Sequence, residues 1–373
     1  MIIAVNTIVA THNNREENAA FINESFERII TQQPNHTFII ISDKKDHPLS
    51  LFKNVVTEIT LPKRNNLLQW HVWLNFKIPA ILKKYKAGVF FSCAAISFRS
   101  VNARQQVFFG DLSFLLQPSL VTKKDIAFHK RFFLKSVKKA DKVFAVSEFC
   151  SDHILRYSGI SSAKMTMAYP GITPDAISIS HEERERIKTV YAGGHEYFVY
   201  SGIIDEQGNL LNLLKAFSAF KKRQKSNMQL LLAGREGLRY ENFKEKLRLF
   251  KFKEDVKVLT GLSSDEEKKL ISAAYTFISV PLSDCFATQC LRAMQLFVPV
   301  ITSSSGAMPE ICGDAALYAN PEDFQAIALQ MMHLFKDENL RKKLIEKGKA
   351  RTQKFDWNIT AKLIWESMIT GVL

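Results

Sequence analysis

The sequence predicts a two-domain α/β protein, each half a parallel sheet flanked by helices in the Rossmann manner, and three observations carry this. The chain has 373 residues, more than one core usually holds and enough for two domains of about 150–200 residues. Short β-branched or aromatic runs alternate with helical patterns, the order that sets strands parallel with helices on both faces. The alternation breaks around Tyr169-Pro170-Gly171 and the charged stretch 181–188, as expected at an interdomain connection.

In the first half, strands are expected over 2–8, 37–42, 89–92, 106–109, 142–146 and 164–168, with helices over 16–30, 67–85, 123–139 and 148–157. The opening run Met1-Ile2-Ile3-Ala4-Val5 lacks a basic leader and turns polar at Thr11-His12-Asn13-Asn14, so it reads as a first core strand and not as a signal peptide. In the second half, strands are expected over 197–201, 228–233, 256–259, 275–280 and 298–302. Helices are expected over 209–222, 264–274, 286–296, 321–335 and 338–353, and a last amphipathic segment, 357–368, suits packing back across the first domain. The expected division is residues 1–185, 186–355 and a C-terminal helix in 356–373, with the ligand where the strands' carboxyl ends meet a central cleft.

Composition narrows the function. With 46% hydrophobic and 24% charged residues, wholesale disorder is excluded. No apolar run approaches the ~18–20 residues that span a bilayer. Five cysteines without a C-x-x-C pair argue for a reducing compartment, hence a cytoplasmic protein, at most peripheral at the inner membrane face. The net charge of +14 suits nucleic acid, anionic lipid or a phosphorylated substrate alike. Much of it is local: Lys123, Lys124, Lys130, Arg131, Lys135, Lys138, Lys139 and Lys142 interleave with Phe128, Phe132, Phe133 and Leu134. As a helix this stretch is either a membrane-surface element, basic on one face and aromatic on the other, or a solvated basic face over core phenylalanines. No RNA-binding signature accompanies the charge, so nucleic acid is not an expected partner.

Generic site signals are few. The sequence holds no Walker A loop, no G-x-G-x-x-G after its first strand and no G-x-S-x-G. Cys285 and Cys290 lie five apart with no histidine nearby, so they read as buried thiols, and no metal site is expected.

Specific motifs begin at Tyr200. Tyr200-Ser201-Gly202-Ile203-Ile204-Asp205 is followed by Gly208-Asn209-Leu210 and by Leu214, Ala216 and Phe217. Further on come Leu232-Ala233-Gly234-Arg235-Glu236-Gly237, Val258-Leu259-Thr260-Gly261-Leu262 and Ser303-Ser304-Ser305-Gly306-Ala307-Met308-Pro309-Glu310. The series ends with Gly313-Asp314-Ala315-Ala316-Leu317-Tyr318 and Phe355-Asp356-Trp357. In the first half, Gly110-Asp111-Leu112-Ser113-Phe114 and Val146-Ser147-Glu148-Phe149 join them. In this order the motifs resemble those of the family-4 (group 1) retaining, nucleotide-sugar-dependent glycosyltransferases of GT-B fold.

The resemblance implies a transferase that moves a sugar from a nucleotide-sugar donor to a glycan or lipid-linked acceptor in cell-surface polysaccharide synthesis. It implies retained anomeric configuration and no obligatory metal or cofactor, the nucleotide sugar being substrate. It places Asp284 at the catalytic acid position. Donor contacts fall to Gly202, Arg235, Gly261, Leu262, Phe286, Ala287, Thr288 and Arg292, and first-domain cleft contacts to His12, Gly110 and Asp111.

The chain also departs from the family pattern. Ile203 and Gly208 stand where the family has the arginine and lysine that neutralise the leaving diphosphate. Losing two charge-assisted hydrogen bonds of roughly 1.5–3 kcal/mol each weakens that stabilisation by on the order of 10²–10⁴-fold. Asp284 and Arg292 replace the two acids of E-x(7)-E, Gly110 replaces a histidine, and the loop from His12 to Asn18 has no glycine where close approach to phosphate needs one. Two readings stay open. In one the site is rebuilt, Arg235 or Arg292 supplying charge, His12 standing in for the histidine and the amides of Ala287 and Thr288 cradling phosphate at a helix start. In the other these are ordinary residues of a catalytically silent relative that binds a glycan or a partner glycosyltransferase.

Overall fold

Two all-parallel sheets organise the chain. A computed structural model describes residues 1–8, 15–60, 66–93, 95–173 and 179–370. Its contacts divide the chain into Met1–Gly171 with Phe355–Leu373, and Ile172–Lys354.

The first unit holds strands β1 (Ile2–Asn6), β2 (Thr37–Ser42), β3 (Val55–Ile59), β4 (Val89–Ser92), β5 (Arg104–Phe109), β6 (Lys142–Ala145) and β7 (Met165–Met167) in the order β3-β2-β1-β4-β5-β6-β7. Strands covered on both faces read as unbroken apolar runs, and Phe38, Ile39, Ile40 and Ile41 of β2 are fully buried. Sequence periodicity missed β3, whose residues are all half-buried or exposed. This edge strand is fixed by Glu58, which accepts from Lys84 and from the Tyr85 hydroxyl.

Helix α1 (Arg15–Gln32) follows β1. The helix expected over 67–85 has the right extent but is not one α-helix. It runs as α2 (Leu67–Val72), a π-turn (Trp73–Lys77) and α3 (Ile78–Tyr85). Pro79 has no N–H for the carbonyl of Asn75, and its ring crowds that carbonyl, so the ladder widens there. After β5 come α4 (Ser113–Leu116) and α5 (Lys123–Lys139), and α6 (Glu148–Ser158) follows β6. Thr122 caps α5 by accepting from the Asp125 N–H at 3.0 Å. The aromatic face of α5 is core: Phe128, Phe132 and Phe133 are buried, while Lys123, Lys124, Lys130, Arg131, Lys135, Lys138 and Lys139 are exposed. That corrects the reading in which these phenylalanines face lipid, because Phe133 packs on Phe109 of β5, Phe132 on Phe98 and Phe128 on Trp70.

The second unit opens with α7 (His181–Ala192), where sequence patterning suggested a break. Ser180 caps it, Glu182 and Glu183 sit in its first turn, and Gly193 closes it in the left-handed region. Its charge hides a narrow buried side on which the Lys188 ammonium reaches Glu185 (2.9 Å) and Glu196 (2.6 Å). The sheet runs β10-β9-β8-β11-β12-β13, from β8 (Tyr197–Ile204), β9 (Gln229–Glu236), β10 (Val256–Thr260), β11 (Thr276–Ser279), β12 (Val300–Ser303) and β13 (Ala316–Ala319). Its helices are α8 (Leu210–Gln224), α9 (Tyr240–Leu247), α10 (Ser264–Ser272), α11 (Thr288–Gln295), α12 (Met308–Cys312), α13 (Phe324–Lys336) and α14 (Glu338–Thr352).

The chain ends in α15 (Trp357–Ile369), which packs on the first unit. Trp357 meets Phe21 of α1 edge-on at 6.0 Å, Trp365 meets His36 at 4.9 Å, and the Gln106 amide donates to the Ser367 carbonyl at 3.0 Å.

Candidate functional site

In the second unit the chain winds outward from β8 to β9 and β10, then returns to the other side of β8 as β11. The carboxyl ends of β8 and β11 therefore diverge, and such a switch point is where open α/β sheets bind ligands. Asn209 stitches the two ends together. It holds a left-handed φ of 55°, and its amide donates to the carbonyls of Val280 and Pro321, both at 2.8 Å. Asp205, nearly buried, accepts from the Gln207 N–H at 2.7 Å and sets the turn after β8.

The turn after β11 carries Asp284. Its carbonyl accepts from Ala307 (3.0 Å) and its Oδ1 from the Phe286 N–H (3.2 Å). Gly306, at φ 68°, lets the next loop lie against this turn, since a Cβ there would sit 2.7 Å from the Asp284 carbonyl oxygen. Phe286 and Ala287 precede the helix instead of opening it, and their side chains are buried, so they can offer a ligand only main chain. Among the described residues the N–H groups of Ala287 and Thr288, at the start of α11, have no partner.

Arg235 stands on β9, the strand next to β8. Ile203 of β8 and Arg235 of β9 are register partners, so their side chains leave the same face of the sheet one strand apart. Gly202 and Gly234, also partners, let the two strands close up, because a Cβ on Gly234 would collide with the Gly202 carbonyl. The buried Tyr200 hydroxyl donates to the Ile203 carbonyl at 2.9 Å. Burial pushes its pKa well up, the charges of Asp205 and Asp284 push the same way, and Arg235 opposes them.

The hydroxyl also explains Gly208. A Cβ there would collide with it and come within 2.8 Å of the Ile203 carbonyl. Arg292 is half-buried on α11, with no carboxylate partner among the described residues. Gly261 (φ 79°) and Leu262 follow β10, the outer strand two removed from β8.

In the first unit the switch point lies between β1 and β4, where the Asn6 amide donates to Ser92 Oγ at 3.0 Å and accepts from the Ile8 N–H at 3.0 Å. His12 lies outside the described residues. Gly110 follows β5 against α1, and a Cβ there would collide with the side-chain oxygen of Asn18. Asp111 accepts from the N–H and hydroxyl of Ser113, both at 2.8 Å, and so serves its own turn. Burial holds its pKa up, and the Asp125 charge adds to that. Close by, His129 stacks on Phe114 at 3.8 Å, and burial brings its pKa down to about 3.

Sequence reasoning gave no role to Tyr200, Asp205, Asn209 or Asn18. The first three stand inside a quoted motif, and an asparagine directly before an apolar helix was a legible turn signal. Asn18 carried no signal, since only folding brings it beside Gly110. Among the described residues no group of three His, Cys, Asp or Glu is placed to hold a metal, and no helix is long and apolar enough to cross a membrane.

Comparison with known proteins places this geometry. Residues 181–351 match the family model described as glycosyl transferases group 1. The O-antigen chain mannosyltransferase B of Escherichia coli is 24% identical over 258 residues, 69% of this chain and 68% of that protein. A match to a serotype-specific mannosyltransferase of the same organism, 24% identical over 239 residues and 62% of this chain, spans 29% of that longer protein. Among solved structures, a glycosyltransferase from Rickettsia africae superposes with a TM-score of 0.74 at 18% identity, covering 99% of this chain and 97% of that one. Anabaena HepE in complex with UDP and glucose gives 0.73 at 13% identity, covering 99% of both. The chain has the GT-B glycosyltransferase fold, and its residues 181–351 are similar to the glycosyl transferases group 1 family.

Proposed function

We propose that the chain transfers a sugar, a mannosyl unit on the example of its relatives, from a nucleoside-diphosphate donor to a glycan or lipid-linked acceptor of a surface polysaccharide. The observation that carries this reading is Arg235 beside Ile203 at the carboxyl ends of β8 and β9. A cation on the same sheet face, one strand over, supplies charge to a departing diphosphate, and the unpaired amides before α11 supply donors. In the transfer the bond from the anomeric carbon to the diphosphate oxygen breaks with its electron pair leaving on the diphosphate. The acceptor oxygen bonds to that carbon and passes its proton to the departing diphosphate, which holds the electron pair. In this reading Asp284, in the turn after β11, is the carboxylate that faces the donor sugar.

The silent alternative draws support from Gly208 and Gly110, whose side-chain space is taken by Tyr200 and Asn18. Thermal unfolding against nucleoside diphosphates and nucleotide sugars separates the two readings. A donor at about 100 times its Kd adds about 2.7 kcal/mol to stability. Arg235→Ala is expected to weaken diphosphate binding by about 10–100-fold. No stabilisation of the wild-type chain by any of these ligands would leave the silent reading. We further read the exposed basic face of α5 as a contact with anionic lipid near the acceptor.

A further inference from the structure

The apolar stripe opposite the core on α2 and its π-turn has no covering segment among the described residues. Leu68, Val72 and Phe76 recur every four residues and are 70%, 48% and 55% exposed. Trp70, Trp73 and Leu74 on the other side are buried. The π-turn makes this arrangement, since it buries Trp73, Leu74 and Asn75 in succession and leaves Phe76 outside.

The stripe is joined rigidly to the basic face of α5. The Asn75 amide donates to the His71 carbonyl at 2.8 Å and accepts from the Phe98 N–H at 2.8 Å, pinning the loop of Phe98 and Arg99 to the π-turn. From the α5 side the Lys139 ammonium donates to the carbonyls of Phe98 (2.8 Å) and Arg99 (2.7 Å). Arg99 consequently lies 4.7 Å over the Phe76 ring, and Lys135 lies 5.7 Å over Phe98. Arg131, Lys135, Lys138 and Lys139 share one side of α5 by helical spacing. Among the described residues none of these cations pairs with a carboxylate.

We infer that Leu68, Val72 and Phe76 are a wedge that enters the outer layer of an anionic bilayer while Arg99, Lys135 and their neighbours hold lipid phosphates. Exposed apolar side chains set beside unpaired cations match a surface that is apolar within and negative at its face, and both contributions are needed for firm attachment. The inference rests on the reading of α5 as lipid-facing and adds the element that inserts.

Flotation of the full chain with phosphatidylcholine vesicles containing roughly one-third phosphatidylglycerol tests it. The wild-type chain is expected to float. Leu68→Ser, Val72→Ser and Phe76→Ser together should lower binding at least ~10-fold with an unchanged unfolding midpoint, since exposed side chains contribute little to folding. In a Phe76→Trp chain the added indole should shift its emission to the blue on the same vesicles. Unchanged flotation of the triple-serine chain, with binding lost when Lys135, Lys138 and Lys139 are replaced, would overturn the wedge and leave α5 as the lipid contact. Failure of the wild-type chain to float would overturn both, and equal binding to pure phosphatidylcholine would overturn the anionic component.

Discussion

His129 is the titrating residue whose environment makes the sharpest prediction. Burial against Phe114 brings its pKa to about 3, against about 6.5 in an unfolded chain. Between these values the unfolded state binds a proton that the folded state refuses, so this residue's share of stability is full above pH ~6.5 and is lost as the pH falls towards 3. The slope is at most about 1.4 kcal/mol per pH unit. His129→Phe keeps a ring on Phe114 and should flatten the fall in stability between pH 6.5 and 4.5, read by urea unfolding at several pH values. An identical slope in both proteins would show that His129 is already protonated when folded. The same scale decides the site. Gly208 and Gly110 look like simple losses in the sequence, yet each is a place where a neighbour's polar group already stands.

Among the elements, α5 shows why charge and stability must be probed apart. Phe132 is fully buried and Lys130 is exposed two residues away. Phe132→Ala should cost about 3–5 kcal/mol in chemical unfolding, whereas Lys130→Ala should stay within about 0.5 kcal/mol. Comparable losses for both would mean that the basic face is part of the fold and not a free surface. Most strands and helices were legible because parallel strands covered on both faces are apolar without interruption, and helices repeat every 3.6 residues. Strand β3 was not, because an edge strand carries Thr57 and Glu58 and buries little. Helix α7 was not, because it buries only Ile187, Lys188 and Ala192 and shows no apolar stripe. The π-turn was hidden because Pro79 signals an interruption without saying whether the helix ends or widens.

For the whole molecule, the end of the chain belongs to the unit that begins it. Trp357, Ile364 and Met368 of α15 are buried there, and Gly171 lacks a side chain where one would collide with Trp357. Trp357→Ala should therefore cost about 3–5 kcal/mol, with faster amide exchange in α1 and β5. Exchange that rises instead in β8–β13 would contradict this assignment.

The sequence by itself determined the parallel α/β architecture, the glycosyltransferase-like motifs and the amphipathic character of the last helix, because burial periodicity and turn chemistry are local. Tertiary structure alone decided that Arg235 stands beside Ile203, that the Tyr200 hydroxyl stands against Gly208 and that the Asn18 side chain stands against Gly110. Strand register and the meeting of distant elements are set by packing the whole core, and no stretch of sequence records which side chain arrives from elsewhere to occupy a vacated place.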